Sequence, residues 1–257
     1  MRIAVTGGTG FIGRALVKRL SREGHQVLAL SRHAAKGSSR LGSGVTEDVF
    51  DATEPPRNGL LSGCDAVIHL AGESVAARWT LEQKDRVMQS RVRGTRAIAE
   101  AALDAKTVKA LVCASAIGYY GPRGSEELAE DSPAGGDFLA RVCVAWEAAA
   151  SPARDAGLRT VHLRTGVVLH PEGGALKRML LPFKLGAGGR LGSGEQYLSW
   201  IHRDDLVSLY VYAVASGAVR GPMNATAPNP VTNQEFTSAL GRALHRPAIL
   251  PAPAFAL

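Results

Sequence analysis

A glycine-rich segment near the start of the chain constrains the fold more than any other feature. Residues 3–13 read Ile-Ala-Val-Thr-Gly-Gly-Thr-Gly-Phe-Ile-Gly, so a short apolar run leads into Gly7, Gly10 and Gly13, and a helical pattern follows. Glycine lets a backbone approach a pyrophosphate closely, and the N–H groups and dipole of the next helix favour negative charge. The segment predicts a strand, a tight turn and a helix that bind a dinucleotide, rather than an ordinary strand-to-helix connection.

Predicted strands and helical segments alternate through the first half of the chain, which contains five strands, and a sixth strand is predicted from residue 160. Apolar runs predict strands over 3–5, 26–30, 46–50, 64–70, 109–115 and 160–169, and periodic patterns predict helices over 14–23 and 80–103. This order is typical of an α/β protein with a doubly wound parallel sheet of the Rossmann type. Glycines then crowd residues 186–194 and prolines cluster at 222–230 and 247–253. We therefore predict a dinucleotide-binding domain at 1–165 and a smaller substrate-binding lobe at 166–257.

The residues after the second predicted strand favour one nicotinamide cofactor over the other. An NAD site usually has Asp or Glu there to hold the ribose 2′-hydroxyl, whereas this chain has Ser31 and Arg32. A guanidinium can pair with a 2′-phosphate, and a serine hydroxyl can donate to it. We therefore expect NADP, although a solvated arginine is the alternative. Asp51 ends the third predicted strand, where it can accept a hydrogen bond from adenine or cap a helix with Thr53.

Composition and charge argue against several classes of partner. No apolar run reaches membrane-spanning length and no signal peptide is evident, so we expect a cytoplasmic protein with no membrane partner. The formal net charge of +7 comes from scattered basic residues without a dense run, which argues against nucleic acid. Cys64, Cys113 and Cys143 lack a metal-ligand spacing, so we predict reduced thiols and no metal site.

The combined motifs resemble a known family. Residues 6–13, Asp51, residues 69–72 and Tyr120-Gly121 resemble the extended short-chain dehydrogenase/reductases, which include nucleotide-sugar epimerases. A narrower set resembles the atypical epimerase-like subfamily: Trp79, Ser90-Arg91, 115–121, Trp146-Glu147, 173–176, 199–202 with Asp204-Asp205, and 224–231. Members usually continue for a few dozen residues past the position of Leu257, so we expect this chain to lack a C-terminal segment that relatives have.

The resemblance and the glycine segment together imply a set of NADP contacts. They are Gly7, Thr9, Gly10, Phe11, Ile12, Ser31, Arg32, Asp51, Leu70, Ala71, Gly72 and Ser115.

The usual catalytic pair of the family is missing. Active relatives use a Tyr-x-x-x-Lys pair on the helix after the fifth strand, in which tyrosine moves a proton and lysine lowers its pKa. The tyrosine position falls on Phe138 or Leu139 in this chain. The lysine position falls on Val142 or Cys143. Any proton transfer must therefore use another group.

Tyrosine and serine residues just beyond the fifth predicted strand are the candidates for chemistry. We predict Ser115 and Tyr120 as catalytic residues and Tyr119 as a substrate contact, with aromatic pocket walls as the alternative for the two tyrosines. Arg91 is expected to bind an anionic substrate or to lower a tyrosine pKa.

Two further patterns leave alternatives open. Lys84 and Arg91 lie two turns apart on one helix face, which points either into a cleft or to solvent. His202 with Asp204 fits a base and its orienting acid, so His202 is a predicted substrate contact; the alternative is that Asp204 or Asp205 caps a helix.

These expectations lead to two functions. The first is an NADP(H)-binding oxidoreductase or epimerase that acts on a small polar substrate without the Tyr-x-x-x-Lys pair, as a monomer or homodimer. The second is a catalytically inactive NADP(H)-binding sensor or scaffold. A conventional nucleotide-sugar epimerase is disfavoured because the pair is missing.

Overall fold

The computed structural model describes residues 1–33 and 41–250. Part of residues 33–46, a Gly- and Ser-rich segment whose composition predicts a loop, and the end of the chain at Leu257 lie outside the described residues. Its strands are β1 (Arg2–Thr6), β2 (Gln26–Ser31), β3 (Val45–Val49), β4 (Ala66–His69), β5 (Ala110–Ala116), β6 (Arg159–Thr165), β7 (Val167–His170), β8 (Tyr197–Leu198), β9 (Trp200–His202), β10 (Gly221–Ala225) and β11 (Val231–Thr232). Its helices are α1 (Phe11–Arg22), α2 (Leu81–Asp104), α3 (Phe138–Ala148), α4 (Ser151–Asp155), α5 (Gly174–Lys184), α6 (Arg203–Ala215) and α7 (Asn233–Leu244).

Seven parallel strands form the central sheet, in the order β10-β6-β5-β4-β1-β2-β3. The chain starts in the middle with β1, moves to one edge through β2 and β3, and then returns to build the other side. Such a reversal creates a crevice at the carboxyl ends of the strands, where ligands of this architecture bind. The predicted doubly wound α/β fold is confirmed.

Helices cover both faces of this sheet. On one face α1 and α6 bury apolar side chains against β1, β4 and β6, with Leu16, Leu206 and Tyr210 almost fully buried. On the other face α2 and α4 pack against the alternate strand residues, including Leu111 and Cys113 of β5. Since successive strand residues point to opposite faces, each buried strand contributes to both cores.

The predicted alternation of strand and helix is incomplete, and one predicted strand is divided. Residues 51–65 between β3 and β4 form turns, as Pro55-Pro56 and Asn58-Gly59 indicate, and no helix separates these two strands. The strand predicted over 160–169 breaks at Gly166, and β7 pairs with β9 outside the central sheet. A Cβ at Gly166 would lie 2.6 Å from the Ser199 carbonyl oxygen, so the two segments approach too closely for a side chain.

The region after residue 165 also contributes to the central sheet. Strand β10 pairs with β6 from Gly221–Val161 to Ala225–Thr165, and α6 packs beside α1. The domain boundary at residue 165 stays a prediction. Among the described residues, no helix combines the length and the apolar character needed to cross a membrane.

Candidate functional site

The glycine turn joins β1 to α1 at the carboxyl edge of the sheet. Gly7 has a φ of 69°, a conformation that side-chain-bearing residues rarely adopt, and its N–H donates to the Leu30 carbonyl at 2.8 Å. Gly10 then caps α1 and donates to the Gly7 carbonyl at 2.9 Å. A Cβ at Gly13 would lie 2.1 Å from the Gly7 oxygen, so this tight packing requires glycine. The first-turn N–H groups of α1 lack intrahelical acceptors, as an anion site requires.

Thr6 and His69 fix the glycine turn against the end of β4, a contact that the sequence reasoning missed. The Thr6 hydroxyl oxygen accepts from the N–H groups of Leu70 and Ala71, each at 3.1 Å, and lies 2.8 Å from Nδ1 of His69. Because both lone pairs of that oxygen are used, its proton goes to His69, which is neutral and protonated on Nε2. Burial lowers the pKa of His69 to about 3. The sequence signal that could have indicated this contact is a histidine within an otherwise apolar predicted strand.

A cleft of about 260 Å³ opens beside this turn, at the carboxyl ends of β1, β2 and β4. The sequence predicted nine of its lining residues as cofactor contacts: Gly7, Thr9, Gly10, Ser31, Arg32, Asp51, Leu70, Ala71 and Gly72. The other lining residues are Phe50, Ala52, Thr53, Glu73 and Ser90. The tertiary structure therefore brings together residues from five separate segments.

One end of the cleft carries the residues that were expected to select the cofactor. Arg32 is exposed there, and the Ser31 hydroxyl donates to the His33 carbonyl at 3.1 Å. Asp51 accepts hydrogen bonds from the backbone N–H and the hydroxyl of Thr53, at 2.9 and 2.8 Å, which lower the pKa of the carboxyl. The carboxylate is therefore ionised and held in a turn, with no helix to cap.

Three predicted cofactor contacts lie outside this cleft. The Phe11 ring packs against Gly173, where an added Cβ would lie 2.4 Å from the ring. Ile12 packs against the apolar core between α1 and the sheet. Ser115 is only 3% exposed.

Ser115 belongs to a buried polar network beneath the end of β5. Its hydroxyl donates to the Glu147 carboxylate at 2.6 Å. Arg164, on the neighbouring strand β6, donates to the two oxygens of that carboxylate at 2.9 Å each. Burial by itself lowers the pKa of Arg164, but its bonds to Glu147 and Tyr120 raise the pKa overall. Ser115 lies on the same sheet face as Leu111 and Cys113, because strand residues alternate, and its hydroxyl points to Glu147 of α3.

Tyr120 belongs to the same hydrogen-bond network. Its hydroxyl donates to the Asn224 side-chain oxygen at 2.6 Å and accepts from Arg164 at 3.0 Å, and the residue is 3% exposed. The Arg164 guanidinium also lies 3.4 Å from the centre of the Tyr119 ring. The Tyr120 proton is thus committed to a protein acceptor. The catalytic roles of Ser115 and Tyr120 stay predictions that this geometry disfavours.

The positions of the usual Tyr-x-x-x-Lys pair offer no replacement acid. Val142 and Cys143 are buried in α3, and burial raises the pKa of the Cys143 thiol to about 11. Phe138 forms an edge contact with Trp79, with 5.8 Å between the ring centres. Arg91 points inward, because its guanidinium lies against Gly72 at the inner end of the cleft.

His202 lies in a different cluster. Its Nδ1 caps α6 by accepting the Asp204 N–H at 3.3 Å, and its ring lies 5.5 Å from that of His170. Ligand atoms of His170, His202 and Asp204 lie within 4.8 Å of one another, a cluster that sequence spacing did not predict. Arg203 donates to both Glu172 and Asp204, and Nδ1 of His170 accepts the Glu172 N–H. A fixed guanidinium and two imidazoles that already accept N–H groups oppose cation binding there.

A parallel seven-stranded sheet with a glycine turn facing a cleft at its carboxyl edge defines a dinucleotide-binding protein of the Rossmann class. Residues 3–225 match the model of the NAD dependent epimerase/dehydratase family. The chain belongs to this family.

Curated relatives match over nearly the whole chain. An epimerase family protein from Mycobacterium bovis is 42% identical over 256 residues, which cover 99% of this chain and 83% of the relative. Human epimerase family protein SDR39U1 is 41% identical over 258 residues, covering 98% and 84%. A homologue from Arabidopsis thaliana named as chloroplastic is 41% identical over 261 residues, covering 100% and 75%. The predicted resemblance to the epimerase-like subfamily is confirmed.

A solved relative has the same fold. The crystal structure of human SDR39U1 (isoform 2) with NADPH aligns with a TM-score of 0.85 and 38% identity, covering 98% of this chain and 83% of that one.

Proposed function

We propose that this protein binds NADP(H) in the cleft beside the glycine turn and acts as an oxidoreductase or epimerase on a small polar substrate. The observation that carries the proposal is the convergence of nine predicted cofactor contacts around that cleft. The first-turn N–H groups of α1, which begins at Phe11, lack intrahelical acceptors and can bind a pyrophosphate, and Arg32 offers a cation at the adenosine end. The NADPH complex of the human relative supports the same cofactor.

NADP is favoured over NAD by the chemistry at the end of β2. Ser31 and Arg32 line the cleft where an NAD site would hold a carboxylate for the ribose 2′-hydroxyl. Asp51 lies across the same end, and its carboxylate suits the adenine amino group. When bound, the cofactor supplies hydride chemistry, while these residues bind and orient it.

Replacement of Arg32 with alanine tests this assignment. Loss of charge-assisted hydrogen bonds to a 2′-phosphate should weaken NADPH binding by about tenfold or more, with NADH binding unchanged. Both nucleotides are titrated by fluorescence. Arg22→Ala, at the exposed far end of α1, is the matched control and should leave both affinities unchanged. Equal losses for the two nucleotides in Arg32→Ala would contradict the 2′-phosphate assignment.

An inactive NADP(H)-binding sensor or scaffold is the second candidate. It is favoured by one observation, the commitment of the Ser115 and Tyr120 hydroxyls to Glu147 and Asn224. A screen of carbonyl substrates followed by NADPH absorbance separates the two functions. Turnover supports the enzyme, and tight NADPH binding without turnover on any class supports the sensor. The cytoplasmic location, the monomeric or dimeric state and the absence of a nucleic-acid partner remain proposals from the sequence.

A further inference from the structure

Arg91 is a cation that packs against Gly72, one of the residues that line the cleft. The guanidinium carbon of Arg91 lies 3.5 Å from where a Cβ of Gly72 would be. Nη1 of Arg91 donates to the carbonyl oxygens of Glu73 at 2.9 Å and Val87 at 3.3 Å. Within residues 1–33 and 41–250, no carboxylate forms an ion pair with Arg91, and Glu73 acts on it only at longer range.

Aromatic rings of α3 contact both Arg91 and a second cation of α2, Lys84. Arg91 lies over the Trp146 ring with 4.8 Å to the ring centre, and Lys84 lies over Phe138 at 5.4 Å. Both cations belong to α2 and both rings to α3, so the two helices face each other through paired cation–π contacts. Such contacts fix a guanidinium in place without neutralising its charge. The sequence had left open whether Lys84 and Arg91 point to a cleft or to solvent, and both turn inward against α3.

Part of the Arg91 guanidinium, its Nε and Nη2 groups, remains available to donate hydrogen bonds to a ligand. Arginine has five N–H donors, and both hydrogen bonds use Nη1. In the described part of the chain, Nε and Nη2 donate to no protein acceptor. A planar guanidinium with two adjacent free N–H groups matches a carboxylate or a phosphate, and partial removal from water strengthens that preference.

We propose that Arg91 binds an anionic group of the substrate, a carboxylate or a phosphate, beside the cofactor cleft. This inference rests on the proposed function, because it takes the substrate to lie next to NADP(H). Lys84 supplies a second positive charge two turns away toward the start of α2. The competing role for Arg91 is a clamp on the loop after β4, since Glu73 also donates its N–H to Ser90 at 3.0 Å.

The test measures anion binding to the NADPH-loaded protein, so that the phosphate sites of the nucleotide are already filled. Inorganic phosphate and acetate are titrated at fixed ionic strength, and the melting midpoint is followed. We expect saturable binding of at least one anion and about a tenfold or greater loss of its affinity in Arg91→Met. Arg91→Lys should keep part of it, because it retains the charge. Arg93→Met, exposed on the same helix, should bind as the unmodified protein does.

The outcomes separate the possible roles. Preference for phosphate or for acetate distinguishes a phosphorylated from a carboxylated substrate. A lowered melting midpoint in Arg91→Met with unchanged affinity for both anions would overturn the proposal and leave Arg91 as a loop clamp. Absence of anion binding to the unmodified protein would also overturn it.

Fluorescence titration of NADPH on the same samples tests the proposed function separately. If NADPH fails to bind, the phosphate comparison of the unmodified protein with Arg91→Met is made without nucleotide. That comparison still decides whether Arg91 binds an anion.

Discussion

Replacement of Glu147 with alanine tests whether the buried ion pair at the end of the sheet holds β5, β6 and α3 together. The side chains of Arg164 and Glu147 are 3% and 13% exposed. Glu147 accepts three hydrogen bonds, two from Arg164 at 2.9 Å and one from Ser115 at 2.6 Å. The substitution therefore removes the only carboxylate partner described for the buried guanidinium, leaves Nε and Nη2 of Arg164 without an acceptor, and does the same to the Ser115 hydroxyl.

The expected cost follows from the fate of the remaining charge. Removal of one partner from a buried ion pair typically destabilises a protein by about 3–5 kcal/mol, because the other charge stays buried and uncompensated. For a chain of this size, about 1 kcal/mol moves the melting midpoint by roughly 2–4 °C. Glu147→Ala should therefore lower the midpoint by roughly 6–20 °C.

Thermal and urea unfolding followed by circular dichroism measure the effect. The matched control is Glu126→Ala, which removes the carboxylate of an exposed pair with Arg123 and should not move the midpoint measurably. A double variant, Glu147→Leu with Arg164→Met, removes both charges. It should lose clearly less stability than the sum of the two single changes, since neither leaves an unpaired partner for the other.

Two results would refute this reasoning. A loss of less than about 1 kcal/mol in Glu147→Ala would mean that the pair behaves like a solvent-exposed one. Strict additivity in the double variant would mean that Glu147 and Arg164 contribute to stability independently.

Two further predictions concern the glycine turn and its support. Gly13→Ala should abolish NADPH binding in fluorescence titrations, because its Cβ would lie 2.1 Å from the Gly7 oxygen, whereas Gly217→Ala, with no neighbouring atom within 4 Å, should bind normally. His69 is buried and neutral, with a pKa of about 3 in the folded chain against 6.5 ordinarily. The unfolded chain therefore binds the extra proton first, and the unfolding free energy should fall as pH drops from 6.5 toward 3, by up to about 1.4 kcal/mol per pH unit. Urea unfolding of the unmodified protein and of His69→Leu at several pH values measures this, and an identical pH slope in the two would rule out His69 as the cause.

The sequence by itself determined the features that depend on neighbouring residues. The glycine turn, most strand positions and the placement of Ser31, Arg32 and Asp51 at strand ends all follow from local patterns, because backbone conformation and strand alternation are set within a few residues. In a parallel sheet, strand ends meet at one edge, so the convergence of these residues around one cleft could be predicted as well.

Tertiary structure alone decided which polar side chains meet. Tyr120 and Asn224 are 104 residues apart in sequence, yet their hydrogen bond commits the phenol that sequence reasoning assigned to catalysis. The sequence shows Arg164 in the sixth strand and Glu147 in the helix before that strand. Their ion pair, however, depends on how α3 packs on the sheet.

Tertiary structure also decided the orientation of the Arg91 side chain. Its inward orientation depends on the contact with Trp146 of α3, and no local pattern specifies how two helices face each other. Charge and hydrogen-bond partners of buried groups arise from packing between distant segments, which is why the sequence predicted the segments that meet at the cleft but not the burial of Ser115 against Glu147.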